Sequence, residues 1–243
     1  MSSKDKRNTS HIFRFKQFTI EQDRCAMKVG TDSILLGTWT DLTDIRQVLD
    51  IGSGTGVVSL ILAQRAPLAK VTGVEIDLDA ARQSRENVER SPWSDRIVIH
   101  DMAIQDFANS HTAQFDLIIS NPPFFTGGTF SSNELKASVR HTVKLPHNDL
   151  LKSTRRLLHP QGKFCVVLPY IEGLRFIEIA QIGGFYCTRM TEVRPKANKP
   201  VERLLLCFEL KEKTTEKSEL IIMEADTNEY TTGFRELTKE FYL

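Results

Sequence analysis

The sequence predicts an α/β protein with a doubly wound, mostly parallel sheet of seven strands and an antiparallel edge strand. From residue 47 onward, short apolar runs alternate with segments of helical periodicity, as in sheets with helices on both faces. The last two apolar runs follow each other without a helix between them, which indicates antiparallel pairing. The chain has 243 residues, 40% hydrophobic and 26% charged, a balance typical of a globular protein.

The N-terminal region precedes this alternation. Its first ten residues are polar and lack periodicity, whereas residues 12–20 alternate apolar and polar positions, which predicts a short strand or ordered arm. A turn-rich stretch at 27–33 leads into the apolar segment 34–39. Thr31 or Asp32 is predicted to cap a helix there.

The repeating region supplies the other elements. Strands are predicted at 48–51, 70–74, 96–99, 115–119, 163–168, 185–193 and 204–210. Helices are predicted at 57–66, from Asp77 to before Pro92, at 148–158 and at 172–182. The tail from 218 has a short apolar run at 220–223 and a terminal helix is expected after it.

Composition excludes several classes of protein. No run of 18 apolar residues and no apolar leader segment occur, so we expect neither a membrane span nor a secretory signal. Four cysteines form no C-x-x-C, and six histidines form no H-E-x-x-H pair, so no metal site is predicted. Cysteines used as small buried hydrophobes favour a reducing, cytoplasmic location.

Charge is distributed unevenly although the net charge is only +1. Residues 1–28 carry seven Lys/Arg against three Asp/Glu, and residues 194–203 carry four against one, whereas residues 212–243 carry four against eight. The two basic stretches are candidate nucleic-acid contacts. From charge alone, an ordinary solvated surface is the favoured alternative.

A glycine-rich loop follows the predicted strand at 48–51, the first strand of the alternating region. Asp50 is followed by Gly52, Gly54 and Gly56, which precede a predicted helix. Glycines let the backbone turn tightly and approach a ligand, and this position at the carboxyl end of a strand predicts a nucleotide site. The G-x-G-x-G spacing differs from that of dinucleotide folds, and a strained structural turn is the alternative.

Two further acids end the next two strands. Glu75 lies 19 residues after Gly56, where a carboxylate can accept hydrogen bonds from both ribose hydroxyls. Asp101 can hold an adenine amino group, with Met102 packed on the ring. Each acid alone is an ordinary strand-end residue. Three acids at the ends of consecutive strands beside a glycine loop together indicate a binding site.

These motifs resemble those of the class I S-adenosylmethionine-dependent methyltransferases over residues 47–210. The resemblance implies a Rossmann-like fold and S-adenosyl-L-methionine as cofactor. It also implies that the glycine loop lies against the methionine and ribose of the cofactor. Asp50 would support the methionyl amino group through the loop or through water.

The tetrapeptide Asn121-Pro122-Pro123-Phe124 follows the fourth strand and matches the N-P-P-[FYW] motif of methyltransferases that act on planar nitrogens. The Asn121 side-chain oxygen and the Pro122 carbonyl can accept the two hydrogens of an exocyclic amine. This localises a lone pair that is otherwise delocalised into the ring. Prolines stiffen the loop, and Phe124 offers a face on which the target base stacks. A plain proline turn is the alternative.

The upstream segment M-K-V-G-T-D-S resembles the valine tRNA (adenine-37-N6)-methyltransferase family, as do the N-terminal F-x-F-K-Q-F-T-I and the chain length. The resemblance implies that Lys28, Thr31 and Asp32 close over the cofactor. It also makes Arg140 and His141 possible substrate contacts.

The leading prediction is therefore N6-methylation of a tRNA adenine, with tRNA as partner and no obligate protein partner evident. Methylation of guanine N2 in rRNA or of a protein glutamine remains open, because both activities share the motif. A noncatalytic cofactor-binding scaffold and a dinucleotide oxidoreductase are less favoured. The predicted division is an arm and cofactor-closing segment (1–46), a core (47–210) and an extension packed on the same domain (211–243). The predicted RNA contacts are Lys6, Arg7, Arg14, Lys16, Arg194, Lys196, Lys199 and Arg203.

Overall fold

A computed structural model describes residues 11–123 and 145–242. Its strands are β1 (Ile12–Arg14), β2 (Thr19–Glu21), β3 (Gln47–Ile51), β4 (Lys70–Glu75), β5 (Ile97–Asp101), β6 (Phe115–Ser120), β7 (Leu158–Pro169), β8 (Tyr186–Lys196), β9 (Arg203–Glu209) and β10 (Glu216–Met223). Its helices are α1 (Thr31–Trp39), α2 (Val57–Arg65), α3 (Leu78–Glu89), α4 (Ile104–Ser110), α5 (His147–Leu157), α6 (Tyr170–Ile182) and α7 (Thr232–Thr238). The predicted sites at Lys6, Arg7, Phe124, Arg140 and His141 lie outside the described residues.

Eight strands form the main sheet in the order β10-β8-β9-β7-β6-β3-β4-β5. All neighbours pair in parallel except β9, which runs antiparallel to both β7 and β8. The predicted α/β class and mostly parallel, doubly wound sheet are confirmed. The sheet has one strand more than predicted, and its antiparallel strand lies inside rather than at the edge.

The additional strand is β10, which contains the apolar run at 220–223. It pairs in parallel with β8 at the sheet edge, and its first four residues are exposed. Only the second half of β10 is partly buried, and only that half is apolar. The polar first half therefore concealed this strand from a reading based on hydrophobic runs.

The N-terminal region forms a hairpin rather than one strand. β1 and β2 pair antiparallel, with Ile12 opposite Glu21 and Arg14 opposite Thr19. The turn between them is closed by the Phe15 amide, which donates to the Phe18 carbonyl at 2.9 Å.

Helix caps agree with the sequence at α3 and differ at α1. The Asp77 carboxylate accepts hydrogen bonds from the amides of residues 79 and 80, as predicted for an N-cap. Gly30, not Thr31 or Asp32, occupies the N-cap position of α1 and makes no side-chain cap bond. That prediction was wrong because the Asp32 carboxylate instead pairs with Arg203, at 2.9 Å. Helix α4 was not predicted.

The core consists of two apolar clusters, one on each face of the sheet. Along β3, Val48 belongs to the cluster that includes residues of α1 and α2, whereas Leu49 belongs to the cluster that includes residues of α4, α5 and α6. Cys165 and Cys207, cross-strand partners on β7 and β9, are buried in the first cluster. This alternation is the one expected of strands buried on both faces.

No helix in the described ranges has the length and apolar character needed to cross a membrane.

Candidate functional site

The loop between β3 and α2 depends on three glycines with positive φ. Gly52, Gly54 and Gly56 have φ values of 74°, 52° and 81°. At Gly56 a Cβ would lie 2.6 Å from the Ser84 Oγ, whereas at Gly52 nothing lies within 4 Å of that position. The loop therefore needs glycine for its conformation and leaves open space beside Gly52.

Asp50 lies beneath this loop. It is 1% exposed, and its carboxylate accepts a hydrogen bond of 2.6 Å from the Ser59 hydroxyl of α2. Complete burial raises the pKa of Asp50 to about 7, against the opposing effect of the Ser59 bond. The nearby charge of Glu75 raises that pKa further.

Glu75 ends β4 and holds the loop from the other side. Its two carboxylate oxygens accept hydrogen bonds from the amides of Gly54 and Asp77, both at 2.9 Å. Burial raises the pKa of Glu75, while these backbone bonds lower it. The carboxylate is thus oriented by the backbone of the glycine loop and of the cap of α3.

Asp101 is the register partner of Glu75 across β4 and β5. Its carboxylate pairs with Arg85 at 2.8 Å, and Met102 packs half-buried against the second core cluster. Since β3, β4 and β5 are neighbours, the structure brings all three predicted acids to one edge of the sheet, the edge at their carboxyl ends.

Asn121 lies just past β6, at the same edge. Its side-chain Nδ2 donates a hydrogen bond of 2.9 Å to the Ser33 hydroxyl of α1. Its Oδ1 is buried and meets no hydrogen-bond donor among residues 11–123 and 145–242. Pro122 is buried and Pro123 is half-buried. A buried carbonyl oxygen without a donor is costly, so it marks a place where a ligand can donate.

The segment predicted to close over the cofactor lies at the N-terminus of α1. Lys28 and Thr31 are exposed, and Asp32 forms an ion pair with Arg203 at the start of β9.

Cys25 lies close enough to Glu75 and Asp77 for their charges to act on it. Burial, with these charges, raises the pKa of Cys25 to about 12, so its thiol stays protonated.

Two amide side chains on α3 that were not predicted from the sequence hold residues 21–24 in place. Asn87 accepts a hydrogen bond from the Glu21 amide and donates to the carbonyls of Glu21 and Thr55, all at 2.9 Å. Gln83, one turn earlier, accepts from the Arg24 amide at 2.9 Å. The sequence feature that could have identified both residues is their spacing, since two amide side chains four residues apart lie on the same face of a helix.

The predicted RNA-binding cations separate into two groups. Arg14 and Lys16 lie toward the amino ends of the strands, because the neighbouring Phe18 packs against Trp93 beyond the end of α3. The Lys16 ammonium donates to the carbonyl of residue 239. The prediction that this part of the arm borders the site is therefore wrong, since the hairpin turn points away from it.

The basic stretch at 194–203 does lie at the carboxyl edge, but most of its charges have structural partners. Arg194 pairs with Glu219, and Lys196 donates to the carbonyls of Ala225 and Thr227 at 3.4 and 2.8 Å. Lys199 is exposed and has no side-chain partner within the described part of the chain. Lys199 is thus the member of this stretch best placed to meet a ligand.

The carboxyl edge of the sheet carries a glycine loop, three strand-end acids and an Asn-Pro-Pro turn. Together these features indicate a methyltransferase of the α/β class. The family model for the methyltransferase small domain matches residues 25–177, and the chain belongs to this family. More narrowly, the chain belongs to the family of tRNA1(Val) (adenine(37)-N6)-methyltransferases, which confirms the resemblance predicted from the sequence. The protein of that name from Tolumonas auensis is 45% identical over 96% of this chain and 97% of its own. Its counterpart from Pectobacterium carotovorum is 43% identical over 95% and 93%.

Solved structures agree on the fold. A predicted O-methyltransferase from Agrobacterium tumefaciens has a TM-score of 0.67 at 18% identity, covering 86% of this chain and 96% of its own. A glycopeptide N-methyltransferase solved with S-adenosyl-L-methionine has a TM-score of 0.56 at 13% identity, covering 76% and 100%. The protein is thus a methyltransferase with the class I fold.

Proposed function

We propose that this protein transfers a methyl group from S-adenosyl-L-methionine to N6 of adenine 37 in a valine tRNA. The observation that carries the proposal is the Asn121 amide. Ser33 holds its nitrogen, and its buried oxygen has no donor within the described residues. The names of the relatives supply the substrate and the position.

The residues at the carboxyl edge fit the proposed cofactor. The space beside Gly52 admits a ligand against the loop, and Glu75 presents an oriented carboxylate at the end of β4. Glu75 would hold the ribose hydroxyls, Asp101 and Met102 the adenine, and Asp50 would support the methionyl end from beneath the loop. When bound, the cofactor supplies an electrophilic sulfonium methyl group.

The chain contributes to the reaction by holding the amine. An adenine N6 has its lone pair delocalised into the ring, so it is a poor nucleophile. If the Asn121 Oδ1 and the Pro122 carbonyl accept its two hydrogens, the lone pair is left directed at the methyl group. Much of the rate enhancement then comes from alignment of atoms about 3–3.5 Å apart. No strong base is required, because the nitrogen releases its extra proton to water only after it has accepted the methyl group. Phe124 remains the predicted stacking partner of the base.

A folded tRNA cannot enter the site, so the target base must leave its stack while the phosphates are held outside. Lys199 and its basic neighbours lie at the edge where this would happen. The pairing of β10 with β8 supports the proposal that the extension at 211–243 packs on the same domain as the core at 47–210, with the arm and cofactor-closing segment at 1–46 as the remaining part. A cytoplasmic location remains a prediction.

The proposal is tested by incubating the protein with labelled S-adenosyl-L-methionine and valine tRNA transcripts, followed by nucleoside analysis. We expect N6-methyladenosine from the native transcript and no label in a transcript with guanine at position 37. Asn121→Ala is the matched enzyme control.

The competing functions are tested in parallel reactions that offer ribosomal RNA or a release-factor protein with the same labelled cofactor. Methylated guanosine in rRNA, or label in a release-factor protein, would replace the proposal with the corresponding activity. Tight cofactor binding without transfer to any of these substrates would indicate a binding scaffold.

A further inference from the structure

A cavity lies at the carboxyl edge of the sheet, beside the site described above. Its volume is about 380 Å³. It lies between the start of α1, the ends of β8 and β10 and the start of β9, and its lining includes Thr31, Val193, Arg203, Ile222, Met223 and Tyr230. Two of its walls, from β10 and the residues after it, belong to the C-terminal extension, to which the proposed reaction assigns no role.

The start of α1 connects the cavity to the turn that contains Asn121. Thr31 and Asp32 line the cavity, and the hydroxyl of the next residue, Ser33, accepts the hydrogen bond from the Asn121 side-chain nitrogen. In the sheet, β8 is three strands from β6, a distance of roughly 14 Å at the usual strand spacing. A few nucleotides of single-stranded RNA can cover this distance.

The lining suits a flat, partly apolar ring. Tyr230 is 40% exposed, and its ring is held by a parallel contact with Tyr242 at 6.0 Å and by Phe234 at 4.6 Å. The backbone of Tyr230 also bridges to Met223, which fixes the aromatic face at the edge of β10. A rigid aromatic face beside apolar walls is the usual platform on which unpaired bases stack.

Both signs of charge border the cavity. Asp32 and Glu202 line it beside Arg203, which pairs with Asp32 at 2.9 Å. The exposed Lys199 lies on the adjoining connection between β8 and β9. A stacked base carries its phosphates outward, where Lys199 can meet them.

We propose that this cavity binds a nucleobase within a few nucleotides of the target adenine in the RNA, with Tyr230 as the stacking platform. The C-terminal extension thereby contributes to the choice of substrate. This inference rests on the proposed function.

The test compares Tyr230→Ala, Tyr230→Phe and Tyr186→Ala in steady-state methylation of valine tRNA. Tyr186 is a half-buried tyrosine at the opposite end of β8 and serves as the matched control. We expect Tyr230→Ala to raise KM for tRNA about tenfold, with the cofactor Kd unchanged. Tyr230→Phe, which keeps the ring, and Tyr186→Ala should retain the original KM.

Because Tyr230 also packs on its neighbours, a second measurement separates stacking from folding. Transcripts with an abasic nucleotide at position 35, 36, 38 or 39 are methylated by the original protein and by Tyr230→Ala. One abasic transcript should raise KM about tenfold for the original protein and leave KM unchanged for Tyr230→Ala.

Equal KM for all the abasic transcripts and the native transcript with the original protein would overturn the inference alone. A KM increase of the same size in both proteins would also overturn it, because the base would then act elsewhere. Failure of the original protein to methylate any transcript would instead overturn the proposed function, and this inference with it.

Discussion

The Asn121 amide nitrogen donates a hydrogen bond of 2.9 Å to the Ser33 hydroxyl, across 88 positions of sequence. This bond fixes the rotation of the amide, so that the nitrogen faces α1 and the oxygen remains available. The Asn-Pro-Pro turn after β6 is thereby oriented by a helix that precedes the whole core.

Asn121→Ala should lower kcat for tRNA by about 10²–10³, because one preorganised polar group commonly contributes this much to rate. The cofactor Kd should stay within a few fold of its original value, since the oxygen is proposed to act on the target amine. Single-turnover kinetics and calorimetric titration measure the two quantities. Normal turnover would remove Asn121 from the proposed mechanism.

Ser33→Ala should lower kcat by up to roughly tenfold, the effect of losing one neutral hydrogen bond that orients the amide. KM for tRNA and the cofactor Kd should be unaffected. Ser33→Thr keeps a hydroxyl group and should recover most of the rate. Equal rates for the alanine and threonine variants would contradict an orienting role for Ser33.

Glu75→Ala should weaken S-adenosyl-L-methionine binding by about ten- to a hundred-fold, because a charge-assisted hydrogen bond contributes roughly 1.5–3 kcal/mol. Glu89, an exposed glutamate at the end of α3, provides the control Glu89→Ala, which removes the same charge without effect. Isothermal titration calorimetry measures both. Original affinity in a folded Glu75→Ala would exclude Glu75 from the cofactor site.

The free energy of unfolding should depend on pH through Asp50. Burial raises the pKa of Asp50 in the folded state to about 7, against about 3.9 when unfolded. Because the folded state holds the proton more tightly, its stability is full below about pH 4 and falls as pH rises to about 7. The loss can reach roughly 4 kcal/mol.

Asp50→Asn keeps the shape and cannot ionise, so its unfolding free energy should lack this component. Urea unfolding of both proteins across this pH range gives the difference. A constant difference between them would show that Asp50 does not titrate in this way.

Lys199→Ala should lower the slope of log tRNA affinity against log salt by about 0.7–0.9, the contribution of one phosphate contact. Lys211 is exposed just beyond β9, at the opposite edge of the sheet, and Lys211→Ala should leave the slope unchanged. Filter binding across a salt series measures both slopes. Identical slopes for the two variants would place the RNA on another surface.

The strands, most of the helices and the acidic edge of the sheet were predictable from the sequence because each depends on nearby residues. Hydrophobic runs identified β3 to β9, and Asp77 bonds to amides two and three residues away. Once parallel strands are established, their carboxyl ends must meet at one edge. The common location of Asp50, Glu75 and Asp101 therefore followed from their positions in the chain.

Long-range partners were not predictable. Asp32 was expected to cap α1, but it pairs with Arg203, 171 positions away. Asn87 docks the N-terminal chain across 66 positions. Polar side chains can satisfy their bonds locally or at a distance, and a pattern in one segment does not distinguish the two.

The sequence by itself determined the α/β class, the glycine loop and the residues presented at the carboxyl edge. Only the tertiary structure decided that β10 extends the sheet, that Ser33 orients Asn121, and that Tyr230 lines a cavity beside them. The physical reason is that periodicity and local capping are encoded over a few residues. Edge pairing, buried hydrogen bonds and cavities arise only when distant segments pack together.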